Sequence, residues 1–192
     1  MEIRAARTCF TVASFFLLLG GAACGSSNSG PPTAAELGVK YKFSPTTLPG
    51  WQLDPNDTGN FKVLEEGTPA DLESVMDGGS TTYTDAGCTI SVYEKLAGTY
   101  PQTATFYVMY FGTDASATAI FNDQKGHLVA NDSIPGFDAS VAGGYAGLAS
   151  ETAIAHFGAM FIRLTVSGFG DDSTSAYQVA AQVLTVLQSK TN

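Results

Sequence analysis

Residues 103–111 read Thr-Ala-Thr-Phe-Tyr-Val-Met-Tyr-Phe, with Phe106, Val108 and Tyr110 alternating against Tyr107, Met109 and Phe111. A strand places successive side chains on opposite faces, so this one is apolar on both and belongs in the middle of a sheet covered on each side. Before it, Cys88 to Leu96 alternates Ile90 and Val92 with Thr89, Ser91 and Tyr93, the pattern of a strand with one dry face. After it, Thr113-Asp114-Ala115 caps a helix running to about Lys125, with Ala117, Ile120, Phe121 and Gln124 on one stripe and Gly126 as the stop.

Further along, Pro135-Gly136 and Gly143-Gly144 bracket a loop, and Tyr145 to His156 and Met160 to Ser167 are expected as two long strands. Gly158-Ala159 suits the two-residue turn between them, because its first position needs positive φ. That register sets His156 opposite Phe161 and Ile154 opposite Arg163, so His156 and Arg163 become diagonal neighbours on one face. From Ser173 to Lys190, Ala176, Val179, Ala180, Val183, Leu184 and Leu187 recur at helical spacing, and Ser175 with Gln178 offers a capping box. Towards the other end, Val39 to Ser44 and Phe61 to Leu64 read as short strands separated by turns, with Trp51 over the core edge. Thr68-Pro69-Ala70-Asp71 reads as the start of a short helix ending near Gly78-Gly79. The expected fold is α+β, a largely antiparallel sheet with packing helices and a C-terminal amphipathic helix, forming a single domain over 37–192. In element order, and in its ending from Tyr145 to Leu187, it is similar to the PsbP-like domains of small exported bacterial lipoproteins. That likeness concerns architecture and carries no functional residue.

The first residues have a different character. Met1 to Arg7 holds Arg4 and Arg7, and the uncharged run from Thr8 to Leu19 is too short for a bilayer core that needs about twenty residues. Small residues follow, Gly20-Gly21-Ala22-Ala23, and then Cys24. Ala22, Ala23 and Cys24 resemble the lipobox of bacterial lipoprotein precursors, with Gly21 standing where the family usually has Leu. The resemblance implies a signal peptide over 1–23 and a lipidated Cys24 as first residue of the mature chain. A plain secretory signal cut after Ala23 is the alternative reading. Residues 24–36, rich in Gly, Ser and Pro, then form a flexible tether. With Gly25 and not Asp beside the cysteine, the resemblance favours the outer membrane over the inner. Cys9 goes with the leader and Cys24 takes lipid, leaving Cys88 as the one free thiol, read as a buried small hydrophobe.

With 192 residues, 44% hydrophobic and 14% charged, the chain suits one ordinary domain and excludes collagen, coiled coil and disordered tail. Its net charge of −9 opposes a nucleic-acid partner, whose phosphates need clustered Lys and Arg. Losing Glu2, Arg4 and Arg7 (one acid, two bases) takes the charge from −9 to −10 and leaves Arg163 as the last arginine.

Candidate chemistry is sparse. Asp54, Asn56, Thr58, Gly59, Asn60 and Glu65 fall at calcium-loop spacing, able on paper to give side-chain oxygens, a carbonyl and a bidentate carboxylate. Pro45, Pro49 and Gly50 stand where an entering helix is needed, so an Asx-rich turn is the competing reading and the favoured one, with no metal expected. His156 and Arg163 together would suit a small anion; otherwise they are a solvated patch, or Arg163 pairs with a carboxylate. His127, at a helix end, is expected to meet the last carbonyls. Tyrosines and phenylalanines from Tyr83 to Phe111 either line a groove or pack the core. No Gly-x-Ser-x-Gly, His-Glu-x-x-His, Cys-x-x-Cys or phosphate-loop motif occurs. The expectation is a lipid-anchored, non-enzymatic envelope protein without cofactor, attached through its lipid and binding a partner protein or small ligand. An exported hydrolase with a dispersed active site and a purely structural assembly factor are the alternatives.

Overall fold

The computed structural model describes residues 30–191, apart from 45, 77, 129 and 148. The expected leader, with Cys9, and Cys24, the expected lipidation residue, lie outside the described residues.

The chain enters through helix α1 (Ala34–Tyr41) and two short strands, β1 (Gln52–Leu53) and β2 (Phe61–Glu65). A single 3-10 turn (Leu72–Ser74) and helix α2 (Ser80–Asp85) lead to the long strands β3 (Ile90–Ala97) and β4 (Thr103–Tyr110). Helix α3 (Asp114–Gly126), strands β5 (Ala142–Ala146), β6 (Ser150–Phe157) and β7 (Met160–Ser167), and helix α4 (Ser173–Ser189) complete it. The seven strands form one sheet in the order β1-β3-β4-β7-β6-β5, with β2 sharing the outer edge of β3 with β1. Every pairing is antiparallel, so the fold is α+β as expected.

Strand β4 lies between β3 and β7; Ala104, Phe106 and Val108 are buried on one face, whereas on the other Met109 is buried and Thr105 and Tyr107 are only half-buried. Phe106 and Val108 join a core completed by Leu37 and Tyr41 of α1 and Ala180, Leu184 and Leu187 of α4. Met109 faces the other way, into a second core with Ile154, Phe161, Tyr83 and the α3 stripe Ala117, Ile120 and Phe121. Thr113 caps α3 by accepting from the Ser116 amide at 3.1 Å. The β6–β7 turn also forms as expected, with Phe157 opposite Met160 and Gly158 at φ +54°.

Five local expectations are corrected. Val39 to Ser44 is not a strand: α1 runs through it to Tyr41, and begins inside the expected tether. Thr33 and Glu36 form a capping box, the Thr33 hydroxyl accepting from Glu36 N at 3.3 Å and the Glu36 carboxylate from Thr33 N at 2.8 Å, while Leu37 and Tyr41, one turn apart, bury together. No helix starts at Thr68, because its hydroxyl donates back to the Glu65 carbonyl at 2.8 Å and closes a turn. Asp71 caps the 3-10 turn instead, accepting from Ser74 N at 3.2 Å. Beyond Gly79, held at φ +80°, the chain enters the unexpected α2 instead of stopping. The single strand expected over Tyr145–His156 is a hairpin, β5 and β6, closed where the Gly147 amide donates to the Ser150 carbonyl at 2.8 Å. Finally, Asp172 caps α4, accepting from Ser175 N at 3.0 Å, in place of the Ser175–Gln178 box.

Candidate functional site

Antiparallel register fixes which side chains share a face. Opposite pairs Tyr107–Arg163 and Arg163–Ile154 make one row across β4, β7 and β6, and Thr105–Thr165 and Thr165–Thr152 make the next, reaching Tyr145 of β5. Helix α3 covers the neighbouring part of this face over β6 and β7. Beside it the rows of Arg163 and Thr165 line two hollows. One, of about 250 Å³, is bounded by Gln124, His127 and Leu128 at the end of α3 and by Tyr145, Thr152, Ile154 and Arg163. The other, of about 330 Å³, is bounded by Met76, Gly78, Thr105, Tyr107, Arg163 and Thr165. Arg163 lines both.

The electrostatics of this face differ from those of the chain as a whole. The strand carboxylates Glu65, Glu94 and Glu151 all pair with residues of the opposite face, namely Ile90, Phe106 and Val166. Lys95, which alternates onto the Arg163 face, is matched by Asp54 and Asp57 at 3.2 and 3.3 Å. Among the described residues Arg163 has no ion-pair partner; its guanidinium donates to the Tyr83 hydroxyl at 3.4 Å, and that hydroxyl donates to Gln124 Oε1 at 3.2 Å. Thr152 is 6% exposed and lines the cleft, and neither its hydroxyl nor those of Thr165 and Tyr145 bonds to any described residue. A cation shared by two adjoining hollows, with Thr152 and Tyr145 lining one and Thr165 the other, forms a binding arrangement.

His156 takes the expected register against Phe161 but not a place in the cleft. Its ring packs on Phe121 at 4.9 Å between centroids, and Nε2 lies 3.0 Å from the Ser140 carbonyl. A carbonyl only accepts, so Nε2 is the donor there, and Nδ1 lies 3.4 Å from the Thr118 hydroxyl. The histidine near Arg163 is His127, whose Nδ1 donates to the Asp123 carbonyl at 2.7 Å, meeting the last turn of α3 as expected.

The calcium-loop residues are engaged with one another. Asp54 Oδ1 accepts from Asn56 N at 2.9 Å, Asp57 Oδ1 from Gly59 N at 2.8 Å, and Asn60 Nδ2 donates to the Asp54 carbonyl at 2.8 Å. The Asn56 amide, and after it Lys95, hold the Asp54 carboxyl below its usual range, although burial acts against them. Glu65 sits in β2 opposite Ile90, and β1 occupies the place of an entering helix. Among the described residues no cluster of three or more His, Cys, Asp or Glu comes together. Cys88 is buried beside Ser91 at 3.3 Å, and burial pushes its thiol up to about 11.

Glu94 is the group that sequence reasoning missed. It is 0% exposed, accepts from the Phe43 amide through both oxygens, and is pushed up to about 7 by burial, against that bond and the nearby Lys190 and Lys42. The signal lay in the alternation Ile90, Val92, Glu94, Leu96, which puts a carboxylate on the dry face. An apolar cavity of about 260 Å³ on that side, lined by Phe43, Leu48, Trp51, Leu53 and Leu96 with Ser44 and Gln52, gathers fewer polar groups than the Arg163 cleft.

No family model matches the chain, and no curated protein sequence matches it. Among solved structures, the extracellular domain of PknH from Mycobacterium tuberculosis is similar, with a TM-score of 0.51 and 11% identity over 82% of this chain and 98% of that one. At that identity the likeness is one of fold.

Proposed function

We propose that the protein is an exported, non-enzymatic binding module of the bacterial cell envelope, lipid-anchored at Cys24 and taking a small ligand into the cleft in front of Arg163. The observation that carries the binding role is the cleft itself, where the unmatched Arg163 meets Thr152 and Tyr145 around a common space, with Thr165 in the hollow on the other side of Arg163. Export is supported by the leader and by the likeness of the fold to an extracellular domain. No described helix is long and apolar enough to cross a membrane, which suits attachment through lipid. Gly25 beside the cysteine favours the outer membrane.

The binding role is tested by following the amide resonances of Tyr145, Thr152 and Arg163 while mixtures of neutral, anionic and cationic small metabolites are added. Selective, saturable shifts at these residues are expected. Silence there, or turnover of a compound in place of binding, overturns the reading.

A further inference from the structure

Resting on the reading that this cleft binds a ligand, we infer that the ligand is a sugar-sized hydroxylated carboxylate with one negative charge, a molecule of the uronic-acid type. Three independent features lead there.

The first is charge. Among the described residues Arg163 has no ion-pair partner, the strand carboxylates Glu65, Glu94 and Glu151 are on the opposite face of the sheet, and the Asp123 carboxylate beside the cleft is engaged by Gln124 Nε2 at 3.2 Å and lies 3.8 Å from His127 Nδ1. A planar guanidinium matches a carboxylate through two parallel hydrogen bonds. One cation balances one anion, whereas a phosphate monoester carries about −1.5 to −2 at neutral pH and would leave excess negative charge in a protein already at −9.

The second is hydrogen bonding. Thr152 and Tyr145 line the cleft and Thr165 the adjoining hollow, with hydroxyls that have no partner among the described residues. A hydroxyl both donates and accepts, so a row of them is matched by a ligand that does the same, which is what a polyol offers. A bare fatty or aromatic acid would leave these groups unpaired at a cost.

The third is size and shape. About 250 Å³ corresponds to roughly eight waters at about 30 Å³ each, the scale of one sugar ring. Ile154 and Leu128 supply apolar surface for the C–H face of such a ring, and the Tyr145 side chain adds an aromatic one.

The test titrates the ¹⁵N-labelled full chain, held in mild detergent, with glucuronate, glucose and glucose 6-phosphate. Glucuronate is expected to shift Tyr145, Thr152 and the Arg163 side-chain N–H, with glucose and glucose 6-phosphate both weaker. Arg163→Gln is expected to weaken glucuronate about 10- to 100-fold, and Arg163→Lys to recover part of it. If glucose moves the same resonances as well as glucuronate does, or Arg163→Gln binds unchanged, the inference falls while the binding role stands. If glucose 6-phosphate binds more tightly, the carboxylate assignment is overturned in favour of phosphate. If none of these compounds and none of the metabolite mixtures moves the cleft resonances, both readings fall.

Discussion

The buried carboxylate of Glu94 accepts the backbone N–H of Phe43 through both of its oxygens, at 3.0 and 3.2 Å, across 51 residues of chain. This contact fastens the segment leaving α1 to the sheet. Lys190, just after α4, closes the same region by donating to the Lys42 carbonyl at 2.8 Å and lying over the Phe43 ring. Two ends of the domain therefore meet at a carboxylate that would be better solvated outside it.

That placement gives stability a specific pH dependence. Glu94 is pushed up to about 7 in the folded protein, mainly by burial, so between its ordinary value of 4.5 and 7 the folded state holds a proton that the unfolded chain has lost. Its contribution is greatest below 4.5, declines as pH rises to 7, and is then constant. At about 1.4 kcal/mol per pH unit the decline is on the order of 3 kcal/mol. Glu94→Gln keeps an acceptor for Phe43, so denaturant unfolding should show a flatter profile from pH 4.5 to 7 and a gain of about 1–3 kcal/mol at pH 8. Loss of stability at pH 8 would contradict this. Asp54, Asp138 and Asp172 have lowered values and act in the opposite sense, losing their contribution as pH falls through the acid range.

Arg163 should matter little to folding. Among the described residues its one polar contact is the 3.4 Å bond to Tyr83, and it is neither buried nor ion-paired there. Arg163→Gln is expected to shift unfolding free energy by no more than about 0.5 kcal/mol. A loss of several kcal/mol would mark it as structural and remove the basis for the cleft's role.

Added calcium should leave thermal stability unchanged. Lys95 stands between the Asp54 and Asp57 carboxylates, and Glu65 is tied into β2. Extracellular calcium modules bind at about 0.1–1 mM, so a rise in Tm over that range, reversed by chelator, would restore the calcium-loop reading.

Cys88 should be inert in the native protein. It is 4% exposed, and its thiol is pushed up to about 11 by burial. Reaction with an aromatic disulfide reagent is expected only at the rate of unfolding, and stoichiometric labelling within seconds at pH 8 would show an open thiol.

Where information was local, the sequence carried it well. Apolar residues on both faces of Thr103–Phe111 located the central strand, Gly158-Ala159 set the register of Ile154 with Arg163, and the Ala117, Ile120, Phe121 stripe placed α3. Other elements were masked by stronger neighbouring signals. The Thr33–Glu36 capping box follows a Pro31-Pro32 pair that reads as linker, and Gly147 stands alone, without the Asn-Gly or Asp-Gly pair that marks a tight turn. The cleft was least legible, because Gln124, Tyr145, Thr152 and Arg163 come from four elements and meet only through the order of the strands. His156 had the correct register and the wrong neighbour, since α3 covers it with Phe121.

The lipid-anchored reading is tested most directly by feeding a clickable fatty acid to cells expressing the native chain and Cys24→Ala, then following both through fractionation. The native protein is expected to carry label and sediment with membranes, and Cys24→Ala to lose the label. Native protein without label and released into the soluble fraction would contradict the anchor and restore the plain secretory signal.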